Sequence, residues 1–261
     1  FDPNHKNLMV GYDSDGNIFT FDNYYLIKRI DKGIDKLKSK LDRCKKYSRR
    51  WTFLNKRLQQ LNAQRRDQIK VFIRTISNAL CKEYDLIGIG NYIPEPQTCE
   101  VTKSDGTKLK KNIKSMNRVM INQTFIGAMR TTLRQIAARS GKSYFKYDEY
   151  RTTKICSTCD HKGESLDPSI REWTCEACQA FHIRDENAAM NGYLLLQRYL
   201  NGEANPIMEG SNKMNSLETK DSEKPCSGYG LPIGNRYTCR FDGRGLQRKL
   251  QPGPENQGIK Y

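Results

Sequence analysis

Four cysteines carry the clearest chemical signal in this sequence. Cys156 and Cys159 form one Cys-x-x-Cys pair, Cys175 and Cys178 form another, and fifteen residues separate the two. Four thiolates in two short-spaced pairs can surround one Zn²⁺ tetrahedrally, and the spacing fits a zinc ribbon. A completed four-thiolate set leaves no open coordination position, so such an ion would be structural rather than catalytic. His161 and His182 lie close by, but a four-cysteine site does not need them.

Three acids suggest a second kind of chemistry. Asp2 ends a short first strand, Glu149 follows the strand-like Tyr144-Phe145-Lys146-Tyr147, and Asp185 opens an apolar-patterned helix. Carboxylates brought together from distant parts of an α/β chain make a site for hard cations. Mg²⁺ takes carboxylate oxygen and water and completes its shell with substrate phosphate. Two such ions stabilise the attacking and leaving oxygens of phosphodiester hydrolysis. Each acid also has a plainer reading: Asp2-Pro3 as a turn, Glu149 as an exposed strand-end charge, Asp185 as a helix cap.

The elements that must position these groups follow from periodicity. Leu8 to Phe21 reads as a β-hairpin around the turn Asp13-Ser14-Asp15-Gly16. Ile27, Ile30, Ile34, Leu37 and Leu41 fall on one helix face. Trp51-Thr52-Phe53 interrupts that pattern, and Leu54 to Leu80 continues as a second helix, so the spacing predicts a helical hairpin over about 26–82. Its other faces are lysine- and arginine-rich. A buried strand is expected over Asp85–Tyr92, stopped by Pro94 and Pro96. Residues 97–116 read as a polar loop. Phe125 to Ile136 reads as an amphipathic helix closed by Gly141.

Lysine and arginine outnumber the acids 45 to 29, a net charge of +16. That excess favours a polyanionic partner, with nucleic acid the default. No run of eighteen apolar residues occurs, so no membrane-spanning helix and no membrane partner are expected. Reduced cysteines committed to a metal indicate a reducing intracellular compartment. The 201–261 region holds nine of the nineteen glycines and is given no fold. Its Arg236, Arg240, Arg244 and Arg248, interleaved with Tyr229, Tyr237 and Phe241, either stack on RNA or belong to a disordered tail. Cys226 and Cys239 are too isolated for a metal site. A chain that opens directly on Phe1-Asp2-Pro3 is expected to be the C-terminal part of a longer protein.

The order of these parts resembles the RuvC nuclease half of TnpB-type proteins, transposon-encoded RNA-guided DNA endonucleases related to type V CRISPR effectors. The resemblance spans roughly residues 1–200. Its most specific pieces are Thr152-Thr153-Lys154-Ile155-Cys156-Ser157-Thr158-Cys159 and Arg184-Asp185-Glu186-Asn187-Ala188-Ala189. Asp2 is similar to the family's first aspartate, although Asn4 stands where the family more often has glycine. Asp185 matches the third acidic motif. Where TnpB carries a glutamate at the end of the central strand, this chain has Gly90-Asn91-Tyr92. Glu149 is similar to the relocated glutamate of the eukaryotic and viral Fanzor branch, and it is preferred over Glu95, which lies between two prolines.

What the resemblance implies is an α/β, RNase H-like (RuvC) fold with an inserted helical hairpin and a zinc-ribbon module. The nuclease domain would occupy residues 1–150 and resume at 184–200 in a final helix. The zinc ribbon would be an insertion at 151–183, and 201–261 a Gly/Pro-rich basic tail. Asp2, Glu149 and Asp185 would be catalytic and would hold two Mg²⁺. Cys156, Cys159, Cys175 and Cys178 would hold one structural Zn²⁺. Expected partners are a guide RNA and target DNA, with sequence read by guide pairing and the duplex tracked by its backbone. The protein would act as a monomer inside the cell, in the nucleus if its source is a eukaryote or a eukaryotic virus. Arg184 is expected at a phosphate near the site or in a surface ion pair. The competing function is a non-catalytic zinc-ribbon nucleic-acid binder with a degenerate RuvC site. A RuvC-like junction resolvase fits less well, since it does not need the ribbon.

Overall fold

A computed structural model describes residues 1–22, 25–96, 98–102, 108–113, 117, 124–149, 152–163, 167, 170–202, 231–243 and 245–251. Cys226, Tyr229 and Arg244, named above, lie outside them.

Apolar residues buried along most of their length build the first strands. β1 (Asp2–Pro3) pairs antiparallel with β2 (Met9–Tyr12), and β2 pairs antiparallel with β3 (Ile18–Phe21). Gly16, at φ 83°, makes the β2–β3 turn, a left-handed conformation that favours glycine. A second sheet joins β4 (Leu86–Gly90) to β7 (Ser143–Tyr147) in parallel, with Gly90 opposite Tyr147. The two sheets meet at the start of the chain. The Phe1 nitrogen donates to the Gly88 carbonyl at 2.8 Å, and the Gly90 N–H donates to the Phe1 carbonyl at 3.0 Å. The strands therefore follow one another β3-β2-β1-β4-β7.

Between β3 and β4 along the chain come α1 (Tyr25–Asp42) and α2 (Arg49–Glu83), the expected helical hairpin. The turn lies earlier than the apolar pattern indicated. Ser48 caps α2, its hydroxyl accepting the Trp51 N–H at 3.2 Å, so Trp51–Phe53 sits inside the second helix. α3 (Ile126–Arg139) packs beside α2. Met129, Leu133 and Ala137 meet Phe72, Ile73 and Ile76 over β4, whose Ile87 and Ile89 are fully buried. α4 (Arg184–Leu200) lies on the opposite face, with Ala189 and Met190 against Val10, Tyr12 and Ile18. The sheet is thus covered on both sides, which suits a strand as continuously apolar as β4.

Two stretches differ from the sequence reading. The 97–116 stretch, expected as a loop, contains a hairpin of β5 (Thr98–Thr102) and β6 (Lys108–Asn112). The region expected as a tail contributes β10 (Arg236–Phe241) and β11 (Leu246–Leu250). β10 adds in parallel to β3 and β11 closes the edge antiparallel to it. Cys239 and Phe241 are buried in the main core, at 1% and 4% exposure. The described arginines of this segment are engaged within the chain: Arg236 pairs with Glu186, Arg240 with Asp22, and Arg248 with Glu83. The Arg248 guanidinium also lies over the rings of Phe19 and Tyr237. The high glycine and proline content of 201–261 averaged over this strand pair and hid it.

Candidate active site and metal centre

The cysteine knuckle builds itself from local turns. Asp160 and Gln179, each one residue past its Cys-x-x-Cys pair, both have φ 58°. Their N–H groups donate to the carbonyls of Cys156 and Cys175, both at 2.9 Å. These matching turns aim two thiols each toward one point. β8 (Glu172–Thr174) and β9 (Phe181–Ile183) hold the second pair as a short hairpin. The Ile155–Lys162 bridge holds the first.

All four sulfurs lie within 4.8 Å of one another. Cys156 and Cys178 are 3.6 Å apart, and Cys159 and Cys175 are 3.7 Å apart. A tetrahedron with Zn–S bonds of about 2.3 Å has edges of about 3.8 Å, so the four thiols fit Zn²⁺. Burial opposes charge on Cys175, but the backbone N–H groups of Cys178 and Ala177 bring its thiol down to about 7. Sequence reasoning set His182 aside. Its Nε2 lies 3.0 Å from Cys156 Sγ, the residue is buried, and Trp173 packs on its ring at 4.6 Å. It is placed to support the sulfur rather than to replace it.

The knuckle is tied to α4 by two asparagines. Asn187 Nδ2 donates to the Ile155 carbonyl at 2.8 Å, and its Oδ1 accepts the Ser157 N–H at 3.0 Å. Asn191 Nδ2 donates to the carbonyls of Thr152 and Ile155, at 2.7 and 2.8 Å. Ala188 and Ala189, fully buried, let α4 approach the sheet closely. The Arg-Asp-x-Asn-Ala-Ala segment thus has a mechanical reading: its asparagine grips the knuckle while its alanines seat the helix. Asn191, one turn on, had no motif to mark it.

The three acids come from β1, from the end of β7, and from the start of α4. Asp2 is 6% exposed. Burial raises its proton affinity well above the ordinary aspartate value, and the charges of Glu149 and Asp185 raise it further. Glu149 is likewise pushed up to about 7, chiefly by burial, opposed by the Tyr92 N–H and the Arg130 guanidinium. Asp185 lies between Arg171, at 3.3 Å, and Arg184, at 3.6 Å. Arg184 is therefore paired with its own neighbour.

Glu149 is held by the end of β4. Tyr92 N–H donates to Glu149 Oε1 at 3.2 Å, and Glu149 N–H donates to Asn91 Oδ1 at 3.2 Å. Arg130, on α3, donates to the Gly90 carbonyl at 3.1 Å. A Cβ built on Gly90 would fall within the Glu149 carboxylate. The glutamate fills the space that a side chain on the neighbouring strand would occupy.

A buried carboxylate whose proton affinity is raised by two neighbouring acids favours a cation beside it, and this all-oxygen donor set suits Mg²⁺. Among the described residues only the four cysteines bring three or more ligand atoms within 4.8 Å of one another. Glu149 and Asp185 lie close enough to Asp2 for their charges to act on it.

Known proteins with these features follow from comparison. A Cas12f1-like family described by its TNB domain matches residues 127–192, a span running from α3 through the knuckle to α4. A putative transposase, R186, of Acanthamoeba polyphaga mimivirus is 28% identical over 229 residues, covering 85% of this chain and 45% of that protein. The TnpB-like protein L79 of the same virus is 26% identical over 164 residues, covering 63% of this chain and 29% of its own length. The fold is similar to Cas12f1 in a cryo-EM complex with sgRNA and target DNA. That match has a TM-score of 0.50 and 14% identity, over 73% of this chain and 47% of that one. The chain is thus an α/β protein similar to a Cas12f1-like family over residues 127–192 and to TnpB-like viral proteins over a longer span. It spans less than half the length of the curated relatives it matches.

Proposed function

We propose that this chain is the nuclease half of an RNA-guided DNA endonuclease, with an RNase H-like core and one active site built on Asp2, Glu149 and Asp185. The observation that carries the reading is that Glu149 and Asp185, from two distant segments, both lie close enough to the buried Asp2 for their charges to raise its proton affinity. The strand succession β3-β2-β1-β4-β7, antiparallel on one side and parallel on the other, supports the RNase H-like assignment. The Cas12f1 likeness supports guide RNA and target DNA as partners, and a monomeric protein is part of the proposal.

Asp2, Glu149 and Asp185 would hold two Mg²⁺, which when bound supply charge for the attacking water and the leaving oxygen of the scissile phosphate. The protein's own contribution is positional. Tyr92 and Asn91 fix Glu149, while Arg171 and Arg184 orient Asp185. Arg130 adds positive potential beside Glu149 and favours its charged form, the form that would meet a cation. Cys156, Cys159, Cys175 and Cys178 would hold Zn²⁺ as a brace, and Asn187 carries that brace to the helix bearing Asp185. The placement of the second glutamate at 149 rather than 90 favours the Fanzor-like arrangement, and with it an intracellular site of action, nuclear in a eukaryotic or viral setting.

The test is Mg²⁺-dependent cleavage of target DNA by the full-length protein with its co-purified RNA. Asp185→Asn should abolish cutting while leaving RNA and DNA binding in place. Undiminished cutting by that variant would overturn the assignment. Binding with no cutting under any divalent metal would return the chain to a non-catalytic nucleic-acid binder.

A further inference from the structure

The outer end of the α1–α2 arm has a chemistry of its own. The first residue of α2 buried in the core is Ile69. From Arg49 to that point the helix rises about 30 Å, at 1.5 Å per residue. The arm therefore carries its turn far from the carboxylates. Between Arg43 and Arg66 the sequence has nine lysines and arginines and no acid. The turn itself presents aromatic rings: Tyr47 is 76% exposed and Phe53 65% exposed, with Trp51 half-buried between them.

Three exposed or half-exposed rings on a projecting tip are not explained by the hairpin's own packing, which uses Ile34, Leu37 and Leu41 on the inner face. Tyr47 also has φ 66°, in the left-handed region that a bulky residue rarely adopts. That backbone angle leads directly into the Ser48 cap and leaves the tyrosine ring pointing outward. Its neighbours keep it ordered. Trp51 packs against it at a centroid distance of 5.3 Å, and Lys46 Nζ lies 5.2 Å from its ring centre. The tip is thus a small, preset platform of rings surrounded by cations. Sites that grip single-stranded nucleic acid combine those two parts, rings for the bases and cations for the phosphates. A protein surface complementary to this tip would need a dense acidic patch around an aromatic pocket, while a nucleic-acid strand supplies both anion and π-face in every nucleotide.

We infer that the Tyr47–Phe53 tip stacks on unpaired bases of a nucleic-acid strand, with Lys45, Lys46, Arg49 and Arg50 on the flanking phosphates. The site lies apart from the carboxylates and anchors the strand remotely from cleavage. The inference rests on the nucleic-acid partner proposed above and not on the catalytic assignment.

The experiment measures binding of the full-length Asp185→Asn protein to labelled single-stranded RNA, single-stranded DNA, duplex DNA, and an abasic strand of equal length, across a salt series. The parent should bind base-bearing single strands about ten-fold or more tighter than the abasic strand, the scale of one or two stacked bases. The double change Tyr47→Ala with Phe53→Ala should remove that preference and leave the salt dependence unchanged. Lys45→Ala with Lys46→Ala should keep the preference and flatten the salt dependence by about two phosphate contacts. The RNA and DNA arms show which strand uses the tip. A ring variant that keeps the full preference for bases overturns the inference. So does a tip already protected from proteolysis in the full-length protein without nucleic acid, since it would then be docked on protein. Because cutting is not measured, failure of the nuclease reading leaves this result standing, and the reverse also holds.

Discussion

A Cβ placed on Gly90 would fall inside the carboxylate of Glu149. The two residues sit at the ends of adjacent parallel strands, β4 and β7, where Gly90 is opposite Tyr147. The side chain of one is absent where the acid of the other is present. An acid can therefore reach the same point from either strand, and this chain uses the second.

That exclusion makes a swap experiment. Glu149→Gly should lower DNA cleavage by about a hundred-fold or more, the scale of removing one electrostatic stabiliser. Gly90→Glu in that background should restore part of the activity. Gly90→Ala alone should also reduce it, by displacing the Glu149 carboxylate. Single-turnover cleavage of each variant under matched Mg²⁺ checks all three outcomes.

The buried acids also set a pH dependence of stability. Glu149 is raised from an ordinary 4.5 to about 7, chiefly by burial. A group whose folded value is raised holds its proton more tightly folded than unfolded. Its stabilisation is full below about 4.5 and is lost as pH rises through about 7. Without divalent metal, melting temperature should therefore fall over that interval, and Glu149→Gln should reduce the slope. Calorimetry with and without Mg²⁺ reads it: added Mg²⁺ should recover stability most above pH 7, where the carboxylate is free of its proton. A slope unchanged by Glu149→Gln would remove Glu149 from the explanation.

Zinc should be present at one equivalent per chain and should be released by strong chelators together with unfolding of the 152–183 region. Cys175→Ser should lose the metal. His182→Ala should keep all four ligands but weaken zinc retention about ten- to a hundred-fold, as expected when a group supporting a ligand is removed. Chelator competition measures the affinity, and cobalt substitution reports whether the four-sulfur set stays intact.

The C-terminal strands should contribute to the core rather than to a tail. Phe241 is 4% exposed and packs on Phe72 at a centroid distance of 5.5 Å. Phe241→Ala should destabilise the fold by about 3–5 kcal/mol. Arg236→Ala should cost less but still measurably, because it strands Glu186, whose side chain is only 14% exposed, without its partner. Denaturant melts of the two variants check the order.

Much of this was readable from the sequence because the signals were local. Cys156, Cys159, Cys175 and Cys178 announced a metal site by spacing alone, since each pair closes within a single tight turn. The apolar faces of α1 and α2 and the buried β4 were visible as periodicity, because burial on one face leaves a repeat in the chain. Residues 236–250 gave no such signal. Their pairing partner, β3, lies more than two hundred residues earlier, and a strand that completes a distant sheet edge needs little pattern of its own. Asn187 was noticed as part of a motif, but its role in gripping the Ile155 and Ser157 backbone was a matter of placement. His182 was set aside because ligand counting is blind to groups that touch a ligand.

The sequence by itself determined the four-thiol centre, the helical arm, and the acids available for chemistry, since residue type and short-range spacing decide those. Only the tertiary structure decided that Asp2, Glu149 and Asp185 share one electrostatic environment. It also decided that Glu149 takes the volume that Gly90 leaves empty. Those are facts of distance between segments far apart in the chain, and distance is created by packing.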